Sequence, residues 1–189
     1  MSTGYQINNQ EATYYLTLQV VFWIDIFTRK TYRDIIIESL QHCQKEKGLE
    51  IYAFVIMSNH VHLLVRSSKG ELSGTIRDFK KHTSKKIVKE IITSKEESRK
   101  IWILNLLSNA AKMKNKKSRY QLWTHENHAI EVFSNSFIEE KITYIHNNPV
   151  RIDIVQYPEE YIYSSAKFYA GEESILEIIP VDFRWKTTK

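Results

Sequence analysis

Cysteine is almost missing from this sequence: Cys43 stands alone among 189 residues. A single thiol builds neither an internal disulfide framework nor a Cys-based zinc site, which fits a reducing compartment. Long apolar runs are missing too. The longest, such as residues 20–24, fall far short of the roughly 20 residues that span a bilayer, so no membrane partner is expected. Residues 1–13 are polar and lack the basic-then-apolar layout of a secretory leader. The expectation is a cytoplasmic chain, nucleoid-associated if it binds DNA. No internal repeat is visible.

What is present points to a packed domain. Hydrophobic residues make up 42% and aromatics 12%, enough for a core and too much for wholesale disorder. The length suits one domain, residues 1–189. The net charge of +5 is small but unevenly placed. Residues 77–120 carry 14 Lys/Arg against 4 Asp/Glu, whereas the rest of the chain carries 13 against 18. A local excess of this kind suits a groove for a polyanion, because phosphate contacts dominate nucleic-acid affinity. A solvated helix face followed by a charged loop would look the same.

The hydrophobic pattern gives the order of elements. Residues 14–24 read as a strand, 31–47 as an amphipathic helix stopped by Gly48, 51–57 and 60–66 as a hairpin turning at Ser58-Asn59, and 72–92 as a second helix. The Lys-rich stretch at about 93–121 reads as an insertion with some helix of its own. Residues 129–133 form a short strand. Ser134 or Ser136 then caps a helix expected to run to about Asn147 and stop at Pro149. An aromatic-rich tail follows from about 151. This βαββαβ order predicts an α+β, ferredoxin-like (RRM-like) sandwich with an antiparallel sheet, one face covered by helices and the other free for a ligand. A C-terminal tyrosine-bearing helix and the basic insertion are added to it.

Two groups of residues could do chemistry. His60 and His62 lie two apart on a strand, so both imidazoles point to one face and can reach one metal ion. With 7 histidines in the chain, such a pair also arises by chance on an exposed strand. Tyr144 and Asn148 lie four apart on the last helix and share a face. Tyr144 offers a hydroxyl that could attack a phosphodiester, and Asn148 an oxygen suited to a hard divalent cation. By spacing alone they are equally a core tyrosine and a helix C-cap, and composition does not single out one tyrosine among 11.

The motifs say more than the spacing. Tyr52-Ala-Phe-Val-Ile-Met-Ser-Asn-His-Val-His-Leu-Leu-Val65 closely resembles the metal-site hairpin of the HUH-type single-tyrosine transposases. Tyr144-Ile-His-Asn-Asn-Pro-Val-Arg151, followed by Tyr157-Pro158 and Tyr163-Ser164-Ser165, resembles the C-terminal signature of their REP-associated branch. Between them, Phe79-Lys80-Lys81-His82-Thr83-Ser84 and Leu122-Trp123 fall where that family has a basic helix and a Trp-containing segment. The resemblance covers roughly residues 14–165. It departs at Tyr163, where a Trp is common, and at 93–119, which is longer than the usual connection.

The resemblance implies that His60, His62 and Asn148 bind Mg2+ or Mn2+ and that Tyr144 is the nucleophile. The reaction would be transesterification on single-stranded or hairpin DNA, with a 5′-phosphotyrosine and a released 3′-hydroxyl. Arg77, Lys80, Lys81, Lys85 and Lys86 would contact phosphates, and tail aromatics, Phe183 and Trp185 among them, could stack on unpaired bases. Monomer and homodimer are both open. His146, two residues from Tyr144, points elsewhere on the helix and reads as structural. Three other readings compete. One is a domesticated DNA-binding protein of the same fold that no longer cuts. Another is an RNA-binding module, although no Lys/Arg-Gly-Phe-type aromatic motif lies on a central strand. The last is a two-His zinc hydrolase, although no His-Glu-x-x-His is present.

Overall fold

The computed structural model describes residues 6–114 and 117–181. β-Branched and aromatic residues concentrate in three long strands, β1 (Tyr14–Gln19), β2 (Leu49–Ile56) and β3 (His60–Ser67). A two-residue β4 (Ile130–Glu131) completes an antiparallel sheet of order β2-β3-β1-β4. That is the expected sandwich, except that the face expected to be free for a ligand is partly covered by the last long helix. Helices α1 (Lys30–Lys47) and α2 (Leu72–Thr93) form its crossovers and pack on each other. Gly48 ends α1 in the left-handed conformation, with φ 67°, where a side chain would be strained. Its built-in bend also sets β2 directly against the end of the helix.

Alternation along the strands sorts the side chains. Leu16, Leu18, Val61 and Leu63 face one way and are fully buried. Tyr15, Thr17 and Gln19 face the other way, and the register sets Thr17 opposite His62 and Gln19 opposite His60. Onto this second face docks α4 (Asn135–Arg151), which contacts β2 and β3 and carries Tyr144. Its N-cap is Ser134, whose hydroxyl accepts from the Phe137 amide.

Two expected boundaries move the furthest, while β2 starts two residues early and β4 keeps two of its five expected residues. The first strand ends at Gln19, not at residue 24, because the apolar run is divided between two environments. Val20 bridges to Trp123, then Phe22 and Trp23 turn the chain with φ of 54° and 55° and leave their rings exposed. Pro149 does not stop the last helix. It sits buried within α4, which continues to Arg151. A proline there forfeits one helical hydrogen bond, and burial of its ring offsets that loss. Asn148 is therefore inside the helix and not at its C-cap.

The charged stretch after α2 contains helix α3 (Lys100–Met113). Its root is pinned by Glu97, whose buried carboxylate meets Arg29 Nε at 2.8 Å and Arg99 Nε at 3.1 Å and accepts from the Tyr32 hydroxyl at 3.1 Å. Burial alone would raise this carboxyl; the bonds from Arg99 and Tyr32 outweigh it and hold the group below its usual range. The tail is not loose either. Residues 163–165 run antiparallel along the outer edge of β2, with Ile56 N donating to Tyr163 O and Ser165 N to Phe54 O. Tyr161 and Tyr163 are buried there, so they are unavailable for stacking on bases; Phe183 and Trp185 lie outside the described residues. No helix among the described residues is long and apolar enough to cross a membrane.

Candidate metal and nucleophile site

The strand register fixes the imidazole pair. The rings of His60 and His62 stand 4.6 Å apart between centroids, nearly edge-on. His62 is buried and His60 partly so. Burial disfavours a charged ring and pushes His60 down to about 4 and His62 to about 3, the latter helped by His60 and by Lys141. Both imidazoles are therefore neutral near pH 7, the form that ligates a metal.

Neighbours decide which nitrogen is left to bind. Asn59 Nδ2 donates to Trp23 O and to Asp25 Oδ1, which fixes the amide. Its Oδ1 then lies 2.7 Å from His60 Nδ1. An amide oxygen only accepts, so the proton is on Nδ1 and Nε2 keeps its lone pair. On His62, Nδ1 is engaged by the Tyr15 hydroxyl at 2.8 Å and Thr17 Oγ1 at 3.0 Å, which again leaves Nε2. Partners of this kind orient metal-binding histidines. Burial raises the Tyr15 phenol, so its hydroxyl stays protonated.

Helix α4 brings the third side chain. The Tyr144 ring is 38% exposed and stands 5.5 Å from His62 and 6.3 Å from Tyr15, edge-on to both. Arg151 lies 5.3 Å from the Tyr144 ring centre, and Lys141 lies 5.4 Å from that of Tyr15. The site is thus a part-exposed tyrosine and two neutral imidazoles, with Arg151 against the tyrosine ring and Lys141, paired with Glu140 at 2.8 Å, against that of Tyr15. Asn148 Nδ2 donates to the Tyr144 carbonyl at 3.3 Å, which leaves Oδ1 as the acceptor of that side chain. Among the described residues no three His, Cys, Asp or Glu are placed to share a metal. Two imidazole nitrogens suit a divalent cation that keeps water ligands, and Asn148, one helical turn after Tyr144, would have to bring its amide oxygen to them.

His146 is structural, as its helical position implies. It is buried, its Nε2 is 2.8 Å from Ser165 Oγ, and its ring lies 5.1 Å from that of Tyr169. It fastens α4 to the tail strand.

The basic residues divide. Arg77, Lys80, Lys81 and Lys85 line one cleft of 580 Å3 between α2 and residues 120–127. Lys80 is committed to that wall, with Nζ donating to Thr124 O at 2.8 Å and to Asn127 Oδ1 at 2.6 Å. Lys81 and Lys85 are exposed. Lys86 does not line the cleft and pairs with Glu38 of α1 at 3.3 Å. Trp123 holds the far wall in place: it is buried, and its Nε1 donates to Thr83 Oγ1 of α2. Residues 122–127 also bond to β1 and the residues just after it, Thr124 N to Gln19 O and Val21 N to Leu122 O, and Gln19 stands opposite His60 in the sheet.

Sequence reasoning missed Tyr15, Thr17, Asn59, Lys141 and Arg151. Tyr15 and Thr17 share strand parity with each other, but nothing in the sequence tells which face β1 would share with His62.

Residues 12–105 match the family model described as "Transposase IS200 like". No curated protein matches the chain by sequence. Among solved structures, a REP-associated tyrosine transposase bound to a REP hairpin matches with a TM-score of 0.58 and 16% identity, over 97% of this chain and 95% of that one. A candidate transposase from Deinococcus radiodurans is more distant, with a TM-score of 0.41 and 16% identity over 78% of this chain and 97% of that one.

Proposed function

Because the chain belongs to the IS200-like transposase family and so acts on DNA as a transposase, we propose that it cuts and rejoins single-stranded DNA with Tyr144 as nucleophile beside a His60/His62 cation site. The grouping of Tyr144 with two neutral imidazoles, each with Nδ1 engaged, carries this reading.

His60 and His62, with Asn148 Oδ1, would hold Mg2+ or Mn2+, which would supply Lewis acidity toward the phosphoryl oxygens of the scissile phosphate. Arg151, against the Tyr144 ring, adds positive charge beside the phenol. Tyr144 Oη bonds to phosphorus and the 3′-oxygen leaves as a hydroxyl, so one phosphodiester is exchanged for another and the bond energy is kept for rejoining. Arg77, Lys81 and Lys85 contact phosphates of the bound strand, while Lys80 chiefly shapes the wall. The solved transposase named above is bound to a REP hairpin, and a hairpin with a single-stranded flank is the substrate form proposed here.

The test is a denaturing gel of protein incubated with 3′-labelled flanked hairpin DNA and Mn2+. A slow covalent band is expected for the wild type and none for Tyr144→Phe. No band from the wild type would favour the non-cleaving DNA-binding reading, and a band that persists in Tyr144→Phe would move the nucleophile elsewhere.

A further inference from the structure

Phe22 and Trp23 are two consecutive aromatic residues in left-handed backbone, and both rings are about half exposed. Left-handed backbone is costly for residues with side chains and persists where surrounding structure enforces it, often at ligand sites. Here it is enforced by Trp23 N donating to Val20 O and by Asn59 Nδ2 holding the Trp23 carbonyl. Trp23 stands edge-on to His60, 6.1 Å between centroids. Phe22, one residue back, forms a wall of a 330 Å3 pocket.

The end of α3, Ala110 and Met113, also lines this pocket, as does Gln121. Gln121 is 7% exposed; its Nε2 donates to Trp123 O, and its Oε1 is buried with no hydrogen-bond partner among the described residues. A buried acceptor left unpaired is unfavourable and calls for a donor from outside. The pocket is continuous with the basic cleft, because Gln121, Thr124 and His125 line both. A strand whose phosphates follow Lys81 and Lys85 therefore passes this pocket on its way to His60.

We propose that the pocket takes one unpaired nucleobase of the bound single strand, stacked on Phe22 and presenting an N–H edge to Gln121 Oε1. This rests on the reading that the chain binds single-stranded DNA. It adds a base-binding subsite whose walls at 110–128 lie beyond the stretch matched by the family model. Aromatic stacking is tolerant of base identity; the Gln121 oxygen adds a preference for an edge with a donor. Trp23 then separates the held base from the histidine pair and spaces the next phosphate toward Tyr144.

The experiment compares binding of a blunt hairpin and of the same hairpin with a single-stranded flank. Both are measured without divalent cation, for wild type, Phe22→Ala and Phe22→Tyr. Losing one stacked base should weaken flanked-DNA binding by Phe22→Ala about 5- to 150-fold. Blunt-hairpin binding should stay at the wild-type level, and Phe22→Tyr should retain both. A 2-aminopurine stepped along the flank should change its emission at one position in the wild type and not in Phe22→Ala. Flanked DNA bound equally by wild type and Phe22→Ala, with cutting intact, overturns the pocket alone. An equal loss on both DNAs also overturns it. A wild-type protein that binds neither DNA overturns the pocket and the single-strand reading together.

Discussion

The ring of Tyr144 stands edge-on to that of His62, 5.5 Å between centroids, although one comes from the second strand of a hairpin and the other from the last long helix. The pair exists only because α4 docks on the histidine face of the sheet. Removing either imidazole should separate chemistry from binding.

His60→Ala and His62→Ala are each expected to abolish cleavage while hairpin affinity stays near wild type, because the cation serves the reacting phosphate and affinity comes largely from Lys and Arg. Their stabilities should differ. His62 is buried on two hydroxyls, and its loss should cost about 1–3 kcal/mol; partly exposed His60 should cost less. Cleavage assays beside thermal melts check both halves, and either variant cutting at the wild-type rate would remove the histidines from the reaction.

Asn59 should matter without touching DNA or phosphate. Asn59→Ala frees His60 Nδ1 and lets the ring change tautomer and orientation. Mn2+ affinity should fall about 10- to 100-fold, as for other partners of metal-binding histidines. Calorimetric titration of Mn2+ gives the number, and an unchanged affinity would show that His60 is oriented by something else.

The lysines should not behave alike. Replacing exposed Lys81 or Lys85 with Ala should lower the slope of log affinity against log salt by roughly 0.7 to 0.9 for each lost phosphate contact, with little change in stability. Lys80→Ala should lower the melting temperature as well, because its Nζ holds Thr124 and Asn127. A Lys86→Ala slope as reduced as that of Lys81→Ala would place DNA on the α1 side of α2.

Acid should destabilise the fold through its buried imidazoles. Burial holds His146 down at about 4, whereas an unfolded histidine titrates near 6.5. Between these values the unfolded chain binds a proton that the folded chain refuses. The stability is therefore fully present above about 6.5 and is lost as pH falls toward 4, by at most about 1.4 kcal/mol per unit for each such group. His60 and His62 act in the same direction. Melts from pH 7 to 4.5 should show a shallower acid slope for His146→Gln than for the wild type. Parallel slopes would mean that His146 already exchanges its proton in the folded state.

Much of this was legible in the sequence because strand and helix periods are local. The alternation through His60 and His62 and the stop at Gly48 needed no tertiary information. The end of the first strand did. An unbroken run from Tyr14 to Ile24 does not reveal that Phe22 and Trp23 leave the sheet, since their left-handed turn is held by Asn59 from the hairpin opposite. Pro149 misled for a related reason: the local rule counts one lost hydrogen bond and not the burial of the ring against neighbours far along the chain. The orienting partners of the histidines were invisible because Tyr15 and Thr17 meet His62 through a register that only the folded sheet defines.

The tail strand at 163–165 sets an order in time. It bonds along β2 and receives His146 on Ser165, so the helix that delivers Tyr144 is clamped by residues made after it. During synthesis the hairpin with His60 and His62 leaves the ribosome first, and Tyr144 follows, but its helix lacks its clamp until residue 165 has also emerged. Tyr144 is thus the last part of the site to be seated, and a chain interrupted before that point would carry the imidazole pair without a fixed tyrosine beside it.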